Sequence, residues 1–313
     1  MISKTALKSI IVVMSVMLFC FSNSVAQDST SFWKIPTEYN PQRGRAVAFG
    51  VTSAYTFTFG LLYKEWYSNY PQTKFHFFND NNQWNQVDKC GHFGSAYYLS
   101  RWSKDLVRWT GKSNKSSAWI GAGVASSFLL TIEVMDGFSD QWGFSAGDFT
   151  ANTLGSALFL AQELTWEEQR VTVKFSYHES HLAQYNPRLL GSTPTERVVK
   201  DYNGQTYWLS ANVKSFLPKS SKFPAWLNIA VGYGADGMLG GSDNYVKDVS
   251  IIGNQQRARF RQFYLAPDID LTKIPFRSNF LKSLVKVFGF IKFPAPTIEY
   301  QSTGKFVFHG LYF

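Results

Sequence analysis

The sequence predicts an α+β protein: an N-terminal helical bundle followed by a C-terminal antiparallel β-sheet or small barrel. Three observations carry this reading. Apolar residues recur at helical spacing up to about residue 167, and from Val171 onward they alternate with a period of two. The chain has 313 residues, 45% hydrophobic and 17% charged, so it is long and apolar enough to bury a core in one or two domains. The expected division is a signal peptide over 1–26, a helical bundle over 27–167 and an antiparallel β region over 168–313.

The first element is an address. Lys4 and Lys8 form a basic n-region, Ile10 to Phe21 an apolar h-region, and Ser24-Val25-Ala26 a small-x-small cleavage site, so the mature chain is expected to begin at Gln27. Bulky Phe19 makes Cys20 a poor acceptor for a lipid anchor. Two cysteines exclude a disulfide scaffold or a cysteine-rich zinc module, and cleavage leaves only Cys90.

Residues 46–63 then run 18 residues without a charge, the lower limit for a transmembrane helix. Their Thr, Ser and Gly content fits a buried core helix equally well. A loop rich in Asn and aromatics over 68–87 separates them from helices expected at 88–109, 116–136 and 147–164. Gly111 supplies a C-terminal stop to the first of these. Gly121, Gly123, Ala125 and Ser126 put small residues on the second, so that neighbouring backbones can approach. The apolar part of that second helix, 118–132, is too short to cross a bilayer untilted.

Strands follow from Val171, Tyr207 and Leu227, then over 256–271, 297–302 and 304–313. Asn203-Gly204, Gly240-Gly241 and Thr303-Gly304 supply turn signals. The last strand ends in Phe313, like the C-terminal strand of bacterial outer-membrane barrels, although an ordinary sheet strand reads the same way. Bacterial barrels usually have at least eight strands, and about six are visible here. Within this half, 276–292 forms an amphipathic helix with Leu281, Leu284, Val285 and Phe288 on one side and Lys282 and Lys286 on the other. It suits a membrane interface or packing on the sheet.

The formal charge of +9 is scattered, with no Lys/Arg block, which excludes nucleic acid as a partner. An anionic lipid surface is the better counter-charge, so outer-membrane lipid is the expected partner. Gly232, Gly234 and Gly237 lie in strand and turn context and are not a nucleotide loop. His178 and His181 read as surface residues, and Cys90 as small-residue packing.

One polar constellation stands out in the helical half. Asp88 and His92 share a helical face, with Lys89 beside them. Glu133, Asp136 and Asp140 follow at spacings of three and four, on one face if the helix persists. Asp148 and Asn152 are again four apart. Ionisable groups among small and apolar residues are costly to bury unless paired or functional. Three chemistries fit. The first is a structural network that fixes helix register. The second is a divalent metal ion, the one cofactor these residues suggest, held by Asp88, His92, Glu133 and Asp136. The third is acid–base hydrolysis with His92 as base, Asp88 orienting it and Glu133 nearby. No nucleophile elbow, P-loop or HExxH motif is present.

The runs DKCGHFGSAYYLS and EVMDGFSDQWGFSAGDFTANTLGSALF resemble the YfiM-like family of uncharacterised bacterial envelope proteins and, more distantly, the VanZ-like family. The matching positions are Asp88, Lys89 and His92, then Glu133, then Asp148, Asn152 and Gly155, within about 85–165. VanZ-like proteins are plain multi-helix inner-membrane proteins. The signal and the long β half favour the YfiM-like side. The resemblance implies an envelope location and no particular reaction. The expected role is therefore a non-enzymatic, outer-membrane-associated structural or assembly subunit that contacts another envelope protein. The rival is a hydrolase acting on a lipid or isoprenoid phosphate headgroup through His92 and its neighbouring carboxylates.

Overall fold

The computed structural model describes residues 32–65, 67–244 and 258–313. The expected signal peptide, its cleavage near Ala26 and the start of the strand expected at 256 lie outside the described residues. The fold is α+β, with long helices in the N-terminal half and, among the described residues, six antiparallel strands in the C-terminal half. Two compact units are present. One comprises residues through Asn79 with Leu99–Glu167, and the other Asp80–Tyr98 with Glu168–Phe313.

In the helical unit, α1 (Pro41–Glu65) contains the uncharged run. By length and composition it could cross a membrane, and only 6% of its apolar window is buried. Such low burial argues against a core helix. Helix α2 (Val87–Trp109) gives its part from Leu99 onward to this unit. The turn that stops it contains Gly111, whose φ of 91° only glycine adopts freely; a Cβ there would lie 2.0 Å from the Glu38 carbonyl oxygen.

Helix α3 (Asn114–Gly137) is also long and apolar enough to cross a membrane by length and composition. Its small residues divide in role. A Cβ on Gly121 would sit 2.6 Å from the Ser100 carbonyl oxygen on α2, whereas one on Gly123 meets nothing within 4 Å. Helix α4 (Ala146–Trp166) is tied to its neighbours by hydroxyls, with Ser100 donating to Ser156 at 3.2 Å and Ser126 to Ser156 at 3.5 Å.

The other unit is a meander with strand order β1 (Val171–Tyr177), β2 (Gln205–Asn212), β3 (Leu227–Asp236), β4 (Phe260–Ile269), β5 (Ala295–Gln301) and β6 (Phe306–Tyr312). It is an open sheet, without a closing β6–β1 ladder. Period-two alternation gives it two unlike faces. One carries an unbroken aromatic row in register across all six strands: Phe175, Tyr207, Tyr233, Phe263, Tyr300 and Phe306. Two residues along each strand runs an apolar row of Val173, Leu209, Val231, Leu265, Ile298 and Phe308.

The opposite face is polar and buried. It includes Lys174, Thr206, Ser210, Asn228, Asp268 and Glu299, with Trp208 and Tyr264 among them. The sheet curls around this face. Lys174 on β1 reaches Asp268 on β4 at 2.7 Å, although three strand spacings span about 14 Å on a flat sheet. Tyr312 on β6 bonds Thr206 on β2 at 2.9 Å and Tyr264 on β4 at 2.7 Å. The half-buried His178 ring packs on Tyr312 at 5.7 Å, which corrects its reading as a surface residue; His181 is exposed.

The first half of α2 covers β1 and β2 on the apolar side. Gly91 and Gly94 lie against Tyr207 and Val173, and Tyr98 donates to the Val173 carbonyl at 2.6 Å. The outer edge of β1 is capped: the Phe175 N–H donates to Phe290 O at 2.7 Å and the Lys292 N–H to Phe175 O at 2.8 Å. The helix expected over 276–292 is accordingly shorter, α6 (Asn279–Phe288), because Gly289 ends it and the following residues serve as a strand partner.

The short helix α5 (Pro194–Lys200) illustrates a charged cap. Proline opens it, and the Thr193 hydroxyl accepts the Glu196 N–H at 3.3 Å. The Glu196 carboxylate in turn accepts the Ser192 hydroxyl at 2.6 Å and the Ser192 N–H at 2.8 Å. These bonds hold its carboxyl at about 2 against an ordinary 4.5. A depressed folded-state pKa adds stability above the unfolded value, and that stability is lost as pH falls from about 4.5 to 2. Glu196→Gln should flatten the acid limb of a stability–pH curve in that window, read from denaturant midpoints.

Candidate functional site

The sequence-predicted residues fall in both units. In the sheet unit, the loop Asp80–Gln86 leads into α2 and places Asp88 in its first turn, where the helix dipole favours an anion. Asp88 Oδ1 accepts the Tyr202 hydroxyl at 2.6 Å, and Oδ2 lies 3.2 Å from Lys89 Nζ. Lys89 also pairs with Asp80 at 2.7 Å. His92 Nε2 stands 3.9 Å from Asp88 Oδ1, on the shared face the spacing predicts but beyond hydrogen-bond distance. Burial, reinforced by Asp88, pushes the Cys90 thiol up to about 11, which keeps it protonated and a packing group. Trp84 packs on the Tyr202 ring at 5.0 Å and braces it. Tyr202→Phe should cost about 1.5–3 kcal/mol in denaturant unfolding, the worth of one hydrogen bond to a charged acceptor.

In the helical unit, Glu133 on α3 is only 1% exposed. Its Oε2 accepts the Ser145 N–H at 3.4 Å, and the Ser145 hydroxyl caps α4 by accepting the Asp148 N–H at 3.0 Å. Asp148 and Asn152 are both buried on α4. The first turn of α4 is therefore built by Glu133, Ser145 and Asp148 together.

Asp136 accepts the Tyr67 hydroxyl at 2.6 Å. Burial, with Asp136 and Glu133 adding negative charge, raises the Tyr67 pKa well above its ordinary value. Asp140 corrects its expectation. Helix α3 ends at Gly137, so Asp140 is exposed and off the helical face of Glu133 and Asp136. The close approach of Phe75 requires a glycine there, since a Cβ would lie 2.4 Å from that ring.

Residues 76–162 match a family model described as predicted periplasmic lipoprotein (DUF2279). The matched segment is less than half of the chain. It nevertheless holds every residue of the polar constellation, and its description fits an envelope-associated protein. No curated protein and no solved structure matches the chain.

Sequence reasoning missed several partners within the matched segment and beyond it. Lys104 pairs with the buried Glu163 at 3.1 Å, and Asn114 donates to the same carboxylate at 3.2 Å. Ser145-x-x-Asp148 before an apolar run is a readable helix-start signal that would have found the cap. Tyr67 and Tyr202 carry no local signal, because they lie 69 and 114 residues from their carboxylates. The charged group of the sheet was also missed. Asp268 binds Lys174 and the Ser210 hydroxyl, each at 2.7 Å, with Lys292 at 3.8 Å. Its signal is parity: Lys174 and Asp268 fall on the same alternate positions as the Ser, Thr and Asn of neighbouring strands.

Proposed function

We propose that this chain is a non-enzymatic component of a bacterial cell envelope, associated with the outer membrane and acting as a structural or assembly subunit against another envelope protein. The observation that carries the non-enzymatic reading is the use made of the carboxylates. Asp88 is engaged by a tyrosine hydroxyl and an ammonium group, Asp136 by a second tyrosine, and Glu133 by the entry to α4. His92 lies too far from Asp88 for the hydrogen bond that would orient a general base. Within each unit, contacts of this kind fix helix ends. The family match and the YfiM-like resemblance support the envelope location. Exposed Phe49, Phe77 and Trp119 on the helical unit are the kind of aromatic surface a protein partner covers.

The test is extraction of the tagged chain from outer membranes in mild detergent, followed by mass spectrometry of its companions. A stoichiometric protein partner is expected. Recovery of the chain alone, together with phosphate release from an isoprenoid diphosphate that Asp88→Ala and His92→Ala abolish without unfolding, would replace this reading with the hydrolase.

A further inference from the structure

We infer that the outward face of β3–β6, together with α6, is an integral lipid-contacting surface that sits in the hydrocarbon of a bilayer. The inference deepens the outer-membrane part of the reading above and rests on it. The polarity of the sheet is inverted relative to a sheet folded in water. The polar face is turned inward, where Lys174 and Lys292 face Asp268, whereas the apolar face is turned outward. Val231 is 52% exposed, Leu265 49% and Phe308 71%. Folding in water would favour the opposite choice at each of these positions, but hydrocarbon favours this one.

The outward residues are also layered along the strands. An aromatic row lies at one level of the sheet and an apolar row beside it, the sequence of layers on the outside of a membrane barrel. Arg261 falls just past the aromatic row, opposite Ala235, at the level where a cation reaches headgroups. Strands β3 and β4 have 10 residues each, enough to cross a bilayer core when tilted.

A third feature lies at the opposite end of β4. There α6 packs on the turn Leu271–Lys273, and none of its residues is buried. Phe280, Leu281 and Leu284 remain exposed, while Lys282 and Lys286 line the other side. An uncovered apolar stripe beside lysines matches an anionic headgroup layer over acyl chains. A protein partner of the same face would leave the cationic stripe and the layering unexplained.

The experiment uses the full chain with Cys20→Ala and Cys90→Ala and single cysteines introduced as Val231→Cys, Leu265→Cys, Phe308→Cys or, as the control, Thr303→Cys. All four carry an environment-sensitive fluorophore and are reconstituted into phosphatidylethanolamine–phosphatidylglycerol vesicles, with or without brominated acyl chains. The first three sites should shift to the blue and lose most of their emission to the bromolipid, while Thr303→Cys stays open to iodide. The sites are already exposed, so labelling leaves the core intact. Iodide quenching of all four sites alike would overturn the inference. So would protection of the first three that persists without bromolipid quenching and gives inter-chain crosslinks, which marks a second copy as the occupant. Bromolipid quenching with no co-purifying partner would overturn the subunit reading alone. Water-exposed labels on a chain that still co-purifies would overturn this inference alone.

Discussion

Asp268→Leu will destabilise the sheet unit by about 3–5 kcal/mol, the cost of leaving buried charge without its partner. Asp268 is 1% exposed, and the ammonium groups of Lys174 and Lys292 both turn toward it. Each lysine also donates to backbone carbonyls, Lys174 to Ile269 at 2.7 Å and Lys292 to Pro267 at 3.0 Å. Those bonds hold the amines in place, so they cannot swing out to water when the carboxylate is removed. The triple variant Lys174→Met, Asp268→Leu, Lys292→Met should recover most of the loss, because a well-packed apolar group can replace a buried ion cluster at little cost. Denaturant midpoints followed by near-UV circular dichroism compare the variants. Equal stability of the single and triple variants would show that the charges do not act as a unit.

Gly121→Leu is expected to cost at least about 1–3 kcal/mol, since its side chain would be driven into the backbone of α2 at Ser100 and Lys104. Gly123→Ala, two residues on, should be neutral or stabilising by up to about 1 kcal/mol, because a Cβ there meets open space and alanine stiffens the unfolded chain. Thermal unfolding of the two variants side by side reads the contrast. Similar losses in both would mean that helix propensity, not helix approach, governs the position.

The two glycines show where sequence reading stops. A run of small residues announces that a helix can be approached closely, but only the packed structure says which side is used. The strands were legible almost to their ends because period-two alternation is a local property. Which face meets water is not local, and the usual expectation of apolar side inward fails here: Lys174 and Asp268 are inside, while Val231 and Leu265 are outside. Asp140 failed for another reason. Its spacing from Glu133 and Asp136 assumes an unbroken helix, and Gly137 breaks it against Phe75. Asp88 and His92 were placed on one face as predicted, because four residues within one helix need no distant information. The tyrosines that engage Asp88 and Asp136 come from remote segments, so their roles emerge only with the fold.

The capping of β1 by Phe290–Lys292 sets an order of events during synthesis. Strand β1 emerges early, yet its outer edge finds its hydrogen-bonding partner more than a hundred residues later, after β2, β3 and β4 have been made. Until then that edge is an open template for any other extended chain. Closing so distant a pairing is also intrinsically slow. A newly made molecule therefore passes through a period in which it can be captured by aggregation. Residues 290–292, not the neighbours of β1 in the chain, decide when that exposure ends.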